Sequence, residues 1–341
     1  MPDDIKTVLG EQSSDFLAPE DAATYDDVCL QHDLEEDRKA DQAPSWPGDA
    51  PAQDGGEDIE TVSIWRDTFR RLRRDKLAVA SGILLLLIIL ISILAPVIAP
   101  HNPYAVVLTD RLKPPFTPGH FLGTDQLGRD LLSRLIYGGR ISVTIGVAAV
   151  AVALVFGVVI GLLAGYYKGL VDTVSIFGLN VLNAFPYILL AIAIIAALGP
   201  GLTNAMIAIS IVGIPYYARI VRGQVFSLRE RDYIQAERAL GASDFRIITR
   251  HILPNCLSPI IVAATLDVGW MIVMAAGLSF LGLGAQPPAA EWGVILSEGQ
   301  EFIRNAPYIS LLSGMMIFIV VLCLNFLGDG LRDALDPNLK N

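Results

Sequence analysis

Residues 229–254 read RERDYIQAERALGASDFRIITRHILP, and seven arginines lie between Arg219 and Arg250. No apolar run here approaches the roughly 20 residues a membrane crossing needs, so the stretch sits in water between spans. Its periodicity predicts two short helices. Tyr233, Ala236 and Leu240 fall at i, i+3 and i+7, and after Gly241 the spacing returns in Phe245, Ile248 and Ile252. Gly241 suits a helix end that needs a left-handed residue. Ser243 or Asp244 can cap the second helix, and Pro254 is placed to stop it. From periodicity alone, each narrow apolar stripe also fits an interfacial helix lying on lipid headgroups.

The surrounding chain is a membrane protein. Of 341 residues, 53% are hydrophobic and only 18% charged, with mean hydropathy +0.51, too apolar for a soluble domain of this size. The formal charge of −10 conceals two regions, because residues 1–60 hold 18 acids and 3 bases. That acidic stretch, rich in Pro, Gly and Ala, reads as a disordered tail that cannot bury enough apolar surface to offset its ordering entropy. Residues 61–76 turn basic, with Trp65, Phe69 and Leu72 near helical spacing among arginines, and predict an interfacial helix against membrane lipid. Fusion to a membrane span reads against nucleic acid as the partner of these bases. The first long apolar run begins at Leu77, with no signal peptide before it, and is expected to insert uncleaved.

Six spans are expected. Residues 77–99 carry no charge, nor do 141–167. Residues 173–218 are 46 uncharged positions, too long for one crossing, and Gly199-Pro200-Gly201 divides them in two. Spans over 260–283 and 309–328 complete the set. With the amino terminus inside, the inner segments hold 16 Lys and Arg and the outer ones 6, so both termini and 229–254 are expected in the cytoplasm. The parts are then a tail over 1–60, a basic helix over 61–76, and a first span with its outer segment over 77–140. A five-helix core follows over 141–328, with a cytoplasmic end over 329–341.

Tyr233-Ile234-Gln235-Ala236-Glu237-Arg238-Ala239-Leu240-Gly241, with Leu253-Pro254 after it, resembles the Glu-Ala-Ala loop of ABC importer permeases. Where that family usually has Glu-Ala-Ala, this chain has Gln235-Ala236-Glu237. Three further stretches resemble the dipeptide, oligopeptide and nickel branch: GHFLGTDQLGRDLLSRLIYGGR within 100–140, LSFLGLG with AQPPAAEWGVILSEGQEFI within 278–308, and NFLGDGLRDALDP over 325–337. The likeness spans about 64–339. It implies an all-α integral membrane protein of six transmembrane helices, the type I ABC importer permease fold with cytoplasmic coupling helices. It also implies a second homologous permease, two cytoplasmic ABC ATPases that use ATP and Mg, and an extracytoplasmic substrate-binding protein. Contact with the ATPases would fall to Tyr233, Gln235, Ala236, Glu237, Leu240, Gly241, Phe245, Ile248 and Pro254. Substrates of the branch are di- and oligopeptides, nickel and other small solutes, and peptides are expected here.

Catalysis by the chain itself is not expected. It has no GxxxxGK[ST] phosphate loop, GxSxG elbow or HExxH, so ATP hydrolysis belongs to another subunit and no cofactor is bound here. His32, His101, His120 and His251 are scattered, and Cys29, Cys256 and Cys323 have neither metal-ligand nor redox spacing, so no metal site is expected. A carrier without ATPases is the competing class. It normally keeps ionisable groups at membrane depth, and Asp267 is the one acid or base well inside an expected span. Burying that charge costs about 2.5–3.5 kcal/mol on translocon scales, so Asp267 should face a wet passage or bond a neighbouring helix. Asn183 and Tyr187 could line the same passage, or serve as glue between helices.

Overall fold

The computed structural model describes residues 64–335, and the acidic tail and the last residues lie outside them. The described chain is helical. A basic helix, α1 (Ile64–Leu72), leads into α2 (Lys76–Ile93) and a short α3 (Ala95–Ile98). After a looped layer come α4 (Leu131–Tyr167), α5 (Gly169–Asn183), α6 (Tyr187–Leu198) and α7 (Leu202–Arg229). The hairpin holds α8 (Asp232–Ala239), α9 (Asp244–Arg246) and a π turn (Ile247–Ile252). The fold closes with α10 (Leu253–Phe280), α11 (Trp292–Gln300) and α12 (Pro307–Leu335). Among the described residues, five helices are long and apolar enough to cross a membrane, and a sixth crossing is made if α5 and α6 count as one.

Several boundaries differ from the sequence reading, four of them for a clear local reason. The first span breaks at Leu94, because Pro96 has no N–H with which to continue the ladder. α4 begins at Leu131 rather than 141, since Arg140, which ended the apolar run, lies on an exposed side of an unbroken helix, and Arg134 before it is fully buried against carboxylates. The third span bends by 90° between α5 and α6, where Pro186 starts α6 and disfavours helical backbone at Phe185. Pro254 does not stop the second hairpin helix. It lies in the first turn of α10, where a missing N–H is tolerated, directly after the π turn.

Small residues set the main seam. Gly157, Gly161 and Gly165 stack on one face of α4, and α7 lies directly on them. A Cβ added at Gly161 would come within 2.6 Å of Ala218 O, and one at Gly165 within 2.7 Å of Val225 Cβ. Lipid tails are as apolar as leucine, so such close backbone approach, rather than expulsion of water, holds two membrane helices together. The repeat is therefore an intrachain seam. Around it one cluster joins Ala149, Ala153, Ile195, Ala208, Met271 and Leu278, from four helices. A second cluster, with Leu85, Leu131, Ile272, Trp292 and Val320, packs α2, α11 and α12 on the other flank.

At the start of α2, Asp75 caps the helix by accepting from Leu77 N at 2.9 Å and Ala78 N at 3.2 Å. Gly330 of α12 packs there against Ala78 and Leu72, so α1 and the ends of α2 and α12 form one group. Gly161→Leu should prevent α4 from seating on α7, a loss of about 1–3 kcal/mol or more by overpacking. Gly178→Ala, with open space around it, should be silent. Thermal unfolding in detergent checks both.

Candidate functional site

Gly241 separates the two hairpin helices with φ +82°, a left-handed conformation that favours glycine. The hairpin then presents two opposed faces. Ile234, Ile247 and Ile252 are fully buried and join Leu162, Val221, Val225 and Cys256 in a cluster at this end of the bundle. Tyr233, Leu240 and Phe245 point away from it, and Leu240 and Phe245 are 85% and 76% exposed. Gln235, Ala236 and Pro254 are also exposed, and Ile248 is half-buried. Glu237 turns towards the chain, where its Oε1 lies 3.5 Å from His251 Nε2. The expected stripe Tyr233-Ala236-Leu240 is thus an outward face. The inward face is carried by Ile234, one position off that stripe.

Polar contacts fasten the hairpin to α4. Arg229 Nη1 donates to Gly165 O at 3.0 Å and Tyr166 O at 3.1 Å, two carbonyls of the last helical turn. Tyr166 Oη donates to Asp244 Oδ1 at 2.6 Å, and the Arg238 guanidinium lies over the Tyr166 ring, 5.5 Å from its centroid. Beside them, Arg222 holds Asp172 in a bidentate pair at 2.5 and 2.7 Å, tying α7 to α5. Arg229, Tyr166, Asp244 and Arg238 are not legible as partners from the sequence. Only the run of arginines hinted at them.

The three passage candidates each have a different setting. Asp267 accepts from Tyr217 Oη at 2.7 Å, so it bonds the neighbouring α7. Asn183 ends α5 with its amide against the Arg219 guanidinium. Tyr187 opens α6 and is exposed. Asn183 and Tyr187 therefore flank the 90° bend, while Asp267 sits between α7 and α10.

At the opposite end, a looped layer is pinned by buried charge. Arg129 Nε donates to Asp125 Oδ2 and its Nη2 to Glu298 Oε2, both at 2.6 Å. Arg134 Nη2 reaches the same Glu298 oxygen at 2.9 Å. Two guanidiniums and two carboxylates thus cancel where water is scarce, and they join the layer to α11. Burial lifts the Glu291 carboxyl above the usual range. It caps α11 through Val294 N at 3.0 Å and accepts from Ser142 Oγ at 3.1 Å. Trp292, fully buried, donates from Nε1 to Leu135 O at 2.9 Å. Residues 100–130 and 285–300 are thus one packed layer over the start of α4.

Membrane-length helices around half-buried polar groups, with a charge-pinned looped layer at one end and an exposed apolar hairpin at the other, define an integral membrane permease. The chain belongs to the family of binding-protein-dependent transport system inner membrane components, whose description matches residues 157–341. Residues 63–115 match the N-terminal transmembrane domain of oligopeptide transport permease C. The dipeptide transport system permease protein of Alkalihalophilus pseudofirmus is 47% identical over 295 residues, covering 86% of this chain and 96% of that protein. The glutathione transport system permease protein of Pectobacterium atrosepticum is 45% identical over 277 residues, covering 81% and 92%. Among solved structures, an inward-facing MetNI methionine ABC transporter aligns with TM-score 0.49 and 21% identity, over 60% of this chain and 98% of that one.

Removing one partner of a buried ion pair costs about 3–5 kcal/mol, because the other charge is stranded. Glu298→Ala, which leaves Asp125 alone to balance Arg129 and Arg134, should therefore unfold the layer at markedly lower temperature. Glu298→Asp should recover part of that loss. Limited proteolysis of the 100–130 loop reports both.

Proposed function

We propose that this chain is one of two permease subunits of an ATP-driven importer, forming half of a passage for di- or oligopeptides. The exposed apolar face of the hairpin carries this reading. A charged, water-facing turn that leaves Leu240 and Phe245 in solvent fits a short helix seated in a groove of another protein. The partner is a cytoplasmic ABC ATPase, two copies serving the two permeases, with ATP and Mg used there. Lys and Arg placement supports both termini and the hairpin in the cytoplasm of a bacterial cell. The charge-pinned layer at the other end is then the seat of an extracytoplasmic binding protein that delivers the substrate. Peptides are favoured because relatives covering more than nine-tenths of their own length are named for dipeptide and glutathione transport.

In this mechanism, closure of the ATPases displaces the hairpin, and its attachments to α4 carry that displacement into the bundle. Coupling requires the docked ATPase to favour one permease state over the other, since equal binding to both shifts nothing. Leu240→Asp and Phe245→Asp should each weaken capture of the ATPase by the purified permease at least tenfold, about 1.4 kcal/mol. Gly241→Val forces a branched residue into the left-handed region and should do the same. Unchanged copurification in all three would count against the docking. Uptake of labelled dipeptide after ATP depletion, with the proton gradient held, should fall to background, whereas a secondary carrier would keep it.

A further inference from the structure

His101 and His120 are scattered members of the sequence, yet the fold brings them together with Asp130. One ligand atom from each lies within 4.8 Å of the other two. We propose that His101 Nδ1, His120 Nδ1 and Asp130 Oδ1 form a binding site for a borderline first-row divalent cation of the zinc class, with its remaining position open to water. Two imidazoles and one carboxylate are a donor set that suits such ions.

The two spacings from the carboxylate bracket what an ion requires. Asp130 Oδ1 stands 2.9 Å from His120 Nδ1 and 3.7 Å from His101 Nδ1. Ligands about 2 Å from a tetrahedral ion lie a little over 3 Å apart, between those two spacings. The other Asp130 oxygen is occupied, accepting from Ser133 N at 2.9 Å and Ser133 Oγ at 2.7 Å. This fixes the carboxylate with Oδ1 left for the site. His101 is held by the same serine, since its backbone N–H donates to Ser133 Oγ at 3.1 Å.

An outer carboxylate completes the arrangement. His120 Nε2 lies 3.4 Å from Asp110 Oδ2, and Lys113 holds Asp110 at 2.6 Å. A carboxylate behind a ligating histidine fixes its tautomer and leaves the inner nitrogen free to bind metal. A simple His120–Asp130 hydrogen bond would need no second imidazole. Here the His101 ring is also drawn in, 4.9 Å from that of His120. Access is one-sided, because the side chain of Asp130 is 1% exposed and that of His120 11%, whereas that of His101 is 44% exposed. The ion would tie together the chain after α3, the looped layer and the start of α4.

The test uses the full chain in detergent, stripped with chelator and titrated with Co²⁺ alone. The expected result is one Co²⁺ per chain with visible absorption typical of low-coordinate cobalt, displaced by Zn²⁺. His101→Ala, whose ring is partly exposed, should leave the helical content unchanged and weaken Co²⁺ at least tenfold. His120→Gln should do so more strongly. Absence of saturable one-to-one binding to the folded chain, or binding by His101→Ala equal to that of the parent, would overturn the proposal.

Discussion

The fold depends on one guanidinium set against the end of a long helix. α4 is 37 residues long, and its last carbonyls have no partner within the helix. Arg229, the last residue of α7, supplies one by donating to Gly165 O and Tyr166 O. Its positive charge also meets the negative end of the helix dipole. That contact is reachable only because α7 lies directly on the glycine seam of α4. With a side chain at Gly161 or Gly165 the two backbones would part, and Arg229 would lose its carbonyls. Close packing and charge are therefore one constraint expressed at two points.

The same helix is fixed at both ends by different means. At its start, Arg134 enters a network with Asp125, Arg129 and Glu298 that binds the looped layer and α11 to α4. At its finish, Tyr166 extends the Arg229 contact to Asp244 in the hairpin. α4 thus joins the layer that would meet a delivered substrate to the turn that would meet a motor. The apolar face of the hairpin stays exposed, while Ile234, Ile247 and Ile252 fasten its back to the bundle. An exposed face on a firmly held support suits a push that must not be absorbed locally.

Much of this was legible in the residues, and the omissions share a cause. Apolar runs located the crossings, but a run ends at a charge whether or not that charge is paired. Arg140, exposed on the helix surface, accordingly hid the first turns of α4. Helical spacing found the outward stripe of the hairpin, since Tyr233, Ala236 and Leu240 repeat on one face. It could not tell outward from inward, because Ile234 is equally apolar and one position away. Gly241 was readable as left-handed, as few other residues tolerate that backbone. Pro254 misled, because proline ends a helix only when a hydrogen bond is demanded of it, and a π turn precedes it here. Pairings such as Tyr166 with Asp244, or His101 with His120, join residues far apart along the chain and leave no local trace.

The central claim is that the hairpin drives the bundle through its attachment to α4. It is tested most directly by measuring ATP hydrolysis and peptide uptake together in vesicles reconstituted with the whole complex carrying Tyr166→Phe or Asp244→Asn. The account predicts that the ATPase stays bound and active while uptake per ATP falls several-fold. An unchanged ratio of uptake to hydrolysis in both variants would contradict it.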